Sequence, residues 1–194
     1  VEAATGGLTE GSRSPRRTRA SPAVDTTRPR VHVAAVSGDV SLSIEDPRDA
    51  AGSALIAEMI AFIGRLYPED ADEAEPPWTL ADIARQACFV VARVDGAVAG
   101  CGGLAPTASA GVLEIVRMYV RPAFRGRGIA DRILADLERL ARVRDAELLL
   151  LRCGPRQPEA LRLYERNGYQ RRGVFAHHRD HPTNLFYEKR LTTG

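Results

Sequence analysis

The chain carries a single lysine, Lys189, so arginine supplies nearly all of its positive charge. Cysteine is scarce too: Cys88, Cys101 and Cys153 are an odd number with no CxxC pair, too few for a disulfide framework. Each lies in or beside an apolar run and reads as a small buried hydrophobe, which fits a reducing cytoplasm. A cysteine nucleophile is not expected, although Cys153 ends a strand near the motif described below. No apolar run approaches the length that spans a bilayer. Arg16-Arg17 lacks the apolar stretch of an export signal, because Thr18 to Pro29 is polar and proline-broken.

Large apolar side chains are almost missing from residues 1–30, which are rich in Gly, Ser, Thr, Pro and Arg. Such a segment cannot bury enough surface to offset its ordering entropy, and it is expected to be a disordered tail, either a dispensable leader or a basic arm for nucleic acid. It carries +3 of the formal net charge of +2, so residues 31–194 sum to −1. That nearly neutral body has no charge reason to bind nucleic acid or an acidic membrane.

What is present is a single domain's worth of alternating elements. Val40 to Glu45 alternates at the period of a half-buried strand. From Pro47 to Leu66, Leu55, Met59, Ile60, Phe62, Ile63 and Leu66 form one apolar helical face, with Pro47 suited to a first turn. An acidic loop (69–77) and a short helix (about 79–86) follow. Strands 88–94 and 97–104 are joined by Asp95-Gly96, a tight-hairpin signal because both positions tolerate positive φ. A strand at 112–120 precedes a helix marked by Ile129, Ile133, Leu134, Leu137 and Leu140. A buried strand (147–151), a helix (158–167) stopped by Gly168, and strands at Tyr169 and Leu185 to Lys189 complete the order. The strand–helix–strand unit implies parallel pairing, so the expected fold is α+β with a mixed sheet.

The chemistry is concentrated between Leu113 and Leu134. Arg121-Pro122 ends a strand, and Arg125-Gly126-Arg127-Gly128-Ile129-Ala130 leads straight into a helix. Glycines at such a turn let backbone N–H groups approach an anion, and the helix N-terminus and two arginines add positive charge. A P-loop is excluded because GxxxxGK[ST] does not occur. The dinucleotide fingerprint fails at its third glycine, which is Asp131, and the chain lacks a βαβαβ succession. The pattern [RQ]-x-x-G-x-[GA] of acetyltransferase pyrophosphate loops is met by Arg125, Gly128 and Ala130.

Together with Glu114 to Pro122, with the run from Arg156 to Tyr169, and with Phe186 to Leu191, this string resembles bacterial GNAT N-acetyltransferases. The likeness covers about Val40 to Leu191 and is specific from 112 to 170. It implies a three-layer αβα fold, mostly antiparallel, whose parallel central strands (112–120 and 147–151) splay apart to admit acetyl-CoA. It further implies that backbone groups along Met118, Tyr119 and Val120 hold the pantetheine arm and acetyl carbonyl. Amides from Arg125 through Gly126, Arg127, Gly128 and Ile129 to Ala130 would hold the pyrophosphate. Tyr164 would lie near the CoA sulfur. Gln157 stands where the wider family often has Asn, and either amide can serve as a CoA contact.

Amide formation needs a neutral amine, hence a base, and Glu114 stands at the start of the strand whose later residues hold the thioester. A solvated carboxylate with a water chain in its place is the alternative. The departing thiolate needs a proton or a hydrogen bond, which Tyr164 can supply if it is not simply packed in the core. Arg117 and Tyr119 alternate with Met118, and their facing is open. His177-His178-Arg179-Asp180-His181 offers few metal ligands and no matching partner elsewhere, so no metal is expected and a polar substrate-side loop is. Tyr67, Glu69, Asp70 and Trp78 form another candidate acceptor wall, whose acidity suits a cationic amine or merely a solvated loop.

The expected function is acetyl-CoA-dependent N-acetyl transfer to a primary amine of a small molecule or peptide, by direct attack and in the cytoplasm. A catalytically silent acyl-CoA-binding sensor with the same cleft is the alternative. The sequence does not name the acceptor or set the oligomeric state, for which a homodimer is the default expectation.

Overall fold

A strand that shows apolar residues on both faces needs cover on both sides, and Cys88–Val94 is such a strand, buried at every position but Arg93. In the computed structural model it is β2 of a seven-stranded sheet. Residues 35–194 make one unit, of which 38–70, 79–86 and 88–191 are described. The tail 1–30, the boundary at Val31, most of the acidic loop and Trp78 lie outside the described residues.

The elements are β1 (Val40–Ile44), α1 (Ala50–Leu66), α2 (Leu80–Gln86), β2, β3 (Ala97–Pro106), β4 (Val112–Val120), α3 (Ile129–Arg142), β5 (Leu148–Cys153), α4 (Pro158–Arg166), β6 (Gln170–Arg172) and β7 (Leu185–Arg190). Short 3-10 turns lie at Pro68–Asp70 and Pro122–Phe124. The order β1-β2-β3-β4-β5-β7-β6 contains one parallel pairing, β4 with β5. The mixed, mostly antiparallel sheet expected from the sequence is therefore present.

Cys88, Val90, Ala92 and Val94 point to one core with Ile129, Ile133, Leu134 and Leu137 of α3. Phe89 and Val91 point to the other, with Leu55 and Ile56 of α1 and Ile83 of α2. That alternation gives the three layers. Asp95 (φ 49°) and Gly96 (φ 81°) make the hairpin turn, and Gly168 (φ 84°) ends α4.

Helix α1 begins later than the proline suggested. Asp46 accepts a hydrogen bond from the Arg48 amide (2.9 Å), folding the chain at Pro47 into a turn before the helix starts at Ala50.

The lone lysine joins the sheet to α3. Lys189 Nζ donates to both carboxylate oxygens of Glu138 (2.7 and 2.8 Å) and sits over the Tyr169 ring. Glu138 is one of the few buried charged residues described, at 8% exposure. Lys189→Met should cost about 2–3 kcal/mol in chemical denaturation, less than a wholly unpaired buried carboxylate would, because Glu138 keeps its longer contact to Arg142 (3.7 Å). The double variant Lys189→Met/Glu138→Leu should regain most of that loss.

Candidate active site

Strands β4 and β5 part company early. Their pairing runs from Val112↔Leu148 to Ile115↔Leu151, and β4 then continues to Val120 with no further β5 partner. A bulge marks the departure: β3 advances from Cys101 to Gly103 while β4 drops from Tyr119 to Val116, one residue more. Arg117 takes the extra place in the left-handed region (φ 55°). The bulge resets the alternation left open by the sequence. Val116 and Tyr119 both pack on the α1–α2 side. Ile115, Met118 and Val120 pack on the α3 side.

The gap opens into a cavity of about 1270 Å³. On one side is the turn from β4 to α3. Arg121 anchors it, bonding Glu58 of α1 (2.9 and 2.7 Å) and the Val98 carbonyl (2.8 Å). Gly126 (φ 75°) and Gly128 (φ 73°) then take conformations that L side chains rarely adopt, and a Cβ at either would point into open space. The first amides of α3 have no intrahelical acceptor and no side-chain cap. This is an uncapped, electropositive helix end facing the cavity.

The arginines of the turn do less than their charge suggests. Arg125 folds back, donating from Nε to the Val120 carbonyl (3.0 Å) with its guanidinium over Phe62. Arg127 covers Phe124 and is absent from the cavity wall. The other nominated residues, Glu114, Met118, Tyr119, Val120, Arg125, Gly126, Gly128, Ile129, Ala130, Gln157 and Tyr164, all line it.

Across the gap, Gln157 closes the β5–α4 turn by accepting from the Gly154 amide (3.1 Å). Tyr164 is 5% exposed, packed between Tyr169 and Tyr187, and burial pushes its phenol well above the ordinary range. Tyr67 is a strut of this wall: its hydroxyl accepts from the Arg156 amide (2.7 Å). A Cβ at Gly154 would lie 2.1 Å from that hydroxyl, so only glycine admits the contact.

The acidity of this wall is already spent internally. Glu69 pairs with Arg156 (2.6 Å), and Asp70 accepts from Thr183 Oγ1 (3.1 Å). The apolar face of α1 also divides. Leu55 and Ile56 enter the sheet core, whereas Met59, Phe62, Ile63 and Leu66 are half-buried along the cavity.

Glu114, 3% exposed, projects into the same cavity beside the last rungs of the parallel pairing. Its Oε1 lies 2.8 Å from His178 Nε2. Phe175 (4.8 Å, edge-on) and Phe186 (5.7 Å) hold the imidazole, whose side chain is 7% exposed. The sequence offered the histidines no partner elsewhere, and the fold corrects this. Glu114, His177 and His178 bring three potential ligand atoms within 4.8 Å of one another. No local signal could have found a partner 64 positions away.

Residues 55–169 match the Acetyltransferase (GNAT) family, and the chain belongs to it. It is 37% identical over 155 residues to an IAA acetyltransferase of Azospirillum brasilense, covering 79% of this chain and 99% of that one. A solved Klebsiella pneumoniae protein, provisionally an acyl-CoA N-acyltransferase, is 32% identical. The match covers 82% of this chain and all of that one, with a TM-score of 0.66. A Salmonella typhimurium protein solved with its cofactor acetyl-CoA shares the fold at 18% identity and a TM-score of 0.54, covering 80% of this chain and 95% of that one. The protein is thus an acyltransferase of a family that uses acetyl-CoA. No helix among the described residues is long and apolar enough to cross a membrane.

Burial pushes the Cys88 thiol up to about 11 and those of Cys101 and Cys153 up to about 12. Cys153 on the cavity wall is therefore held as the thiol and is a poor nucleophile. At pH 8 a disulfide reagent such as DTNB should leave all three unmodified over minutes in the folded protein and titrate all three in denaturant.

Proposed function

We propose that this protein transfers the acetyl group of acetyl-CoA to a primary amine by direct attack, with Glu114 as base and Tyr164 as hydrogen-bond donor to the leaving sulfur. The buried, His178-bonded Glu114 in the cavity where the parallel strands separate carries this reading. The residues present fit the coenzyme. The gap beyond Ile115 leaves backbone groups of Met118 and Val120 to hold the pantetheine arm. The glycine turn and the uncapped amides of Ile129 and Ala130 would hold the pyrophosphate. Bound acetyl-CoA supplies the activated thioester carbonyl.

The chain's own part is positional and protonic. Glu114 accepts the proton that the amine releases as its nitrogen bonds to the carbonyl carbon, and His178 fixes the carboxylate's orientation. As the carbon–sulfur bond breaks, Tyr164 stabilises the thiolate. A phenol pushed above its ordinary range does not surrender its proton to a thiolate whose thiol titrates near ~8.5, so the contribution is a hydrogen bond and solvent supplies the proton. Among the described residues after α1, Glu69 and Asp70 are already partnered, so neither stands free to select a cationic amine. We place the enzyme in the cytoplasm, a reading supported by three unpaired, buried thiols.

Turnover of acetyl-CoA with a panel of amines, read as thiol released, tests the proposal. IAA is tested separately from the amines because of the Azospirillum relative's name. Tight acetyl-CoA binding without turnover on a broad panel would make the protein a silent sensor instead. Glu114→Gln should lower kcat about 100-fold with the KM for acetyl-CoA within about twofold. Tyr164→Phe should lower kcat about tenfold, the worth of one hydrogen bond. Gly128→Val should instead raise the acetyl-CoA Kd at least about tenfold by calorimetry, because the turn must keep its positive φ for phosphate to reach the backbone.

A further inference from the structure

We propose that Glu114, His177 and His178 form a binding site for a divalent transition cation of the Zn2+ class, and that the bound ion switches the enzyme off. Two imidazoles and one carboxylate make the donor set that zinc takes when it keeps a fourth position open. All three ligand atoms lie within 4.8 Å of one another. Tetrahedral donors about 2.0–2.2 Å from zinc stand roughly 3.3 Å apart. Glu114 and His178, at 2.8 Å, need only open by a fraction of an ångström, and His177 needs to close inward.

The surroundings favour capture. Glu114 and the His178 ring are buried, the ring is fixed by Phe175 and Phe186, and the exposed His177 lies against it, tilted by 41° at 4.1 Å. An ion can therefore enter from the cavity, meet His177 first and finish on the buried carboxylate. The ion takes the place of the proton held between Glu114 and His178. A carboxylate bonded to zinc no longer accepts the amine's proton, so ligand and inhibitor are the same ion. Capture of the metal does not depend on Glu114 being the base; its effect on turnover does.

The experiment uses the full chain stripped with EDTA and titrated with Zn2+ against a chromophoric chelator. One ion per chain is expected, bound at least tenfold more weakly by His177→Ala and by Glu114→Gln. Co2+ in place of Zn2+ should give the visible absorption of a four-coordinate site, absent in His177→Ala. Without metal, His177→Ala should turn over within about twofold of the wild type, and it should lose at least tenfold of the sensitivity to Zn2+. No stoichiometric binding, or equal binding by the wild type and His177→Ala, overturns the site. Stoichiometric binding lost in His177→Ala, together with full metal-free activity in Glu114→Gln, upholds the site and overturns the base assignment alone.

Discussion

The structure depends on one broken pairing. For four rungs β4 and β5 satisfy each other's backbone groups, and beyond Ile115 and Leu151 they cease to do so. A buried strand whose amides and carbonyls lose their neighbour carries unsatisfied polar groups, a cost that a protein tolerates only where another partner takes their place. The extra residue at Arg117 turns β4 away from β5 while its pairing with β3 continues on either side. The fold therefore keeps an open edge inside its own sheet. An extended, amide-bearing arm is the natural complement of such an edge.

The same departure explains why a carboxylate can be buried at Glu114. Burying an unpaired charge is prohibitive, and Glu114 avoids it through the hydrogen bond to His178. That bond requires the loop between β6 and β7 to fold over the paired strands β5 and β7, which Phe175 and Phe186 secure by packing edge-on at 5.5 Å. Carboxylate, imidazole and aromatic clamp are thus a single arrangement drawn from three separate parts of the chain. The histidine both permits the charge and, through its neighbour His177, makes the site attractive to a metal.

Much of the architecture was legible because its signals are local. Asp95-Gly96 specifies a hairpin, Gly168 ends a helix, and the spacing of Ile129, Ile133, Leu134 and Leu137 turns one face of α3 to the core. The glycine turn was legible for the same reason, since positive φ at 126 and 128 is a property of those residues themselves. What stayed hidden was relational. The bulge falls on an arginine rather than a glycine, so nothing announced it, and the facing of Arg117 and Tyr119 stayed open. Pro47 read as a helix start because the competing turn made by Asp46 lies outside the helical pattern. The acidic residues after α1 read equally as a substrate wall or a solvated loop because their partners, Arg156 and Thr183, are far away in the sequence.

The apolar stripe of α1 shows how such relations become function. Its amphipathic period is uniform from Leu55 to Leu66, yet only the first turns reach the sheet. Left to the hydrophobic effect, Met59, Phe62, Ile63 and Leu66 would slide onto the nearest apolar surface and close the cavity, at about 25 cal/mol gained per Å² covered. Polar struts oppose this. Arg121 holds Glu58 at the middle of the helix, Arg125 lies over Phe62, and Tyr67 bonds the Arg156 amide at its end. Each strut ties α1 to a turn that borders the gap, so the helix is held at a distance from the sheet rather than against it. The cleft is preorganised at the time of folding, and an arriving ligand recovers the apolar burial that folding left unmade without having to order the walls that receive it.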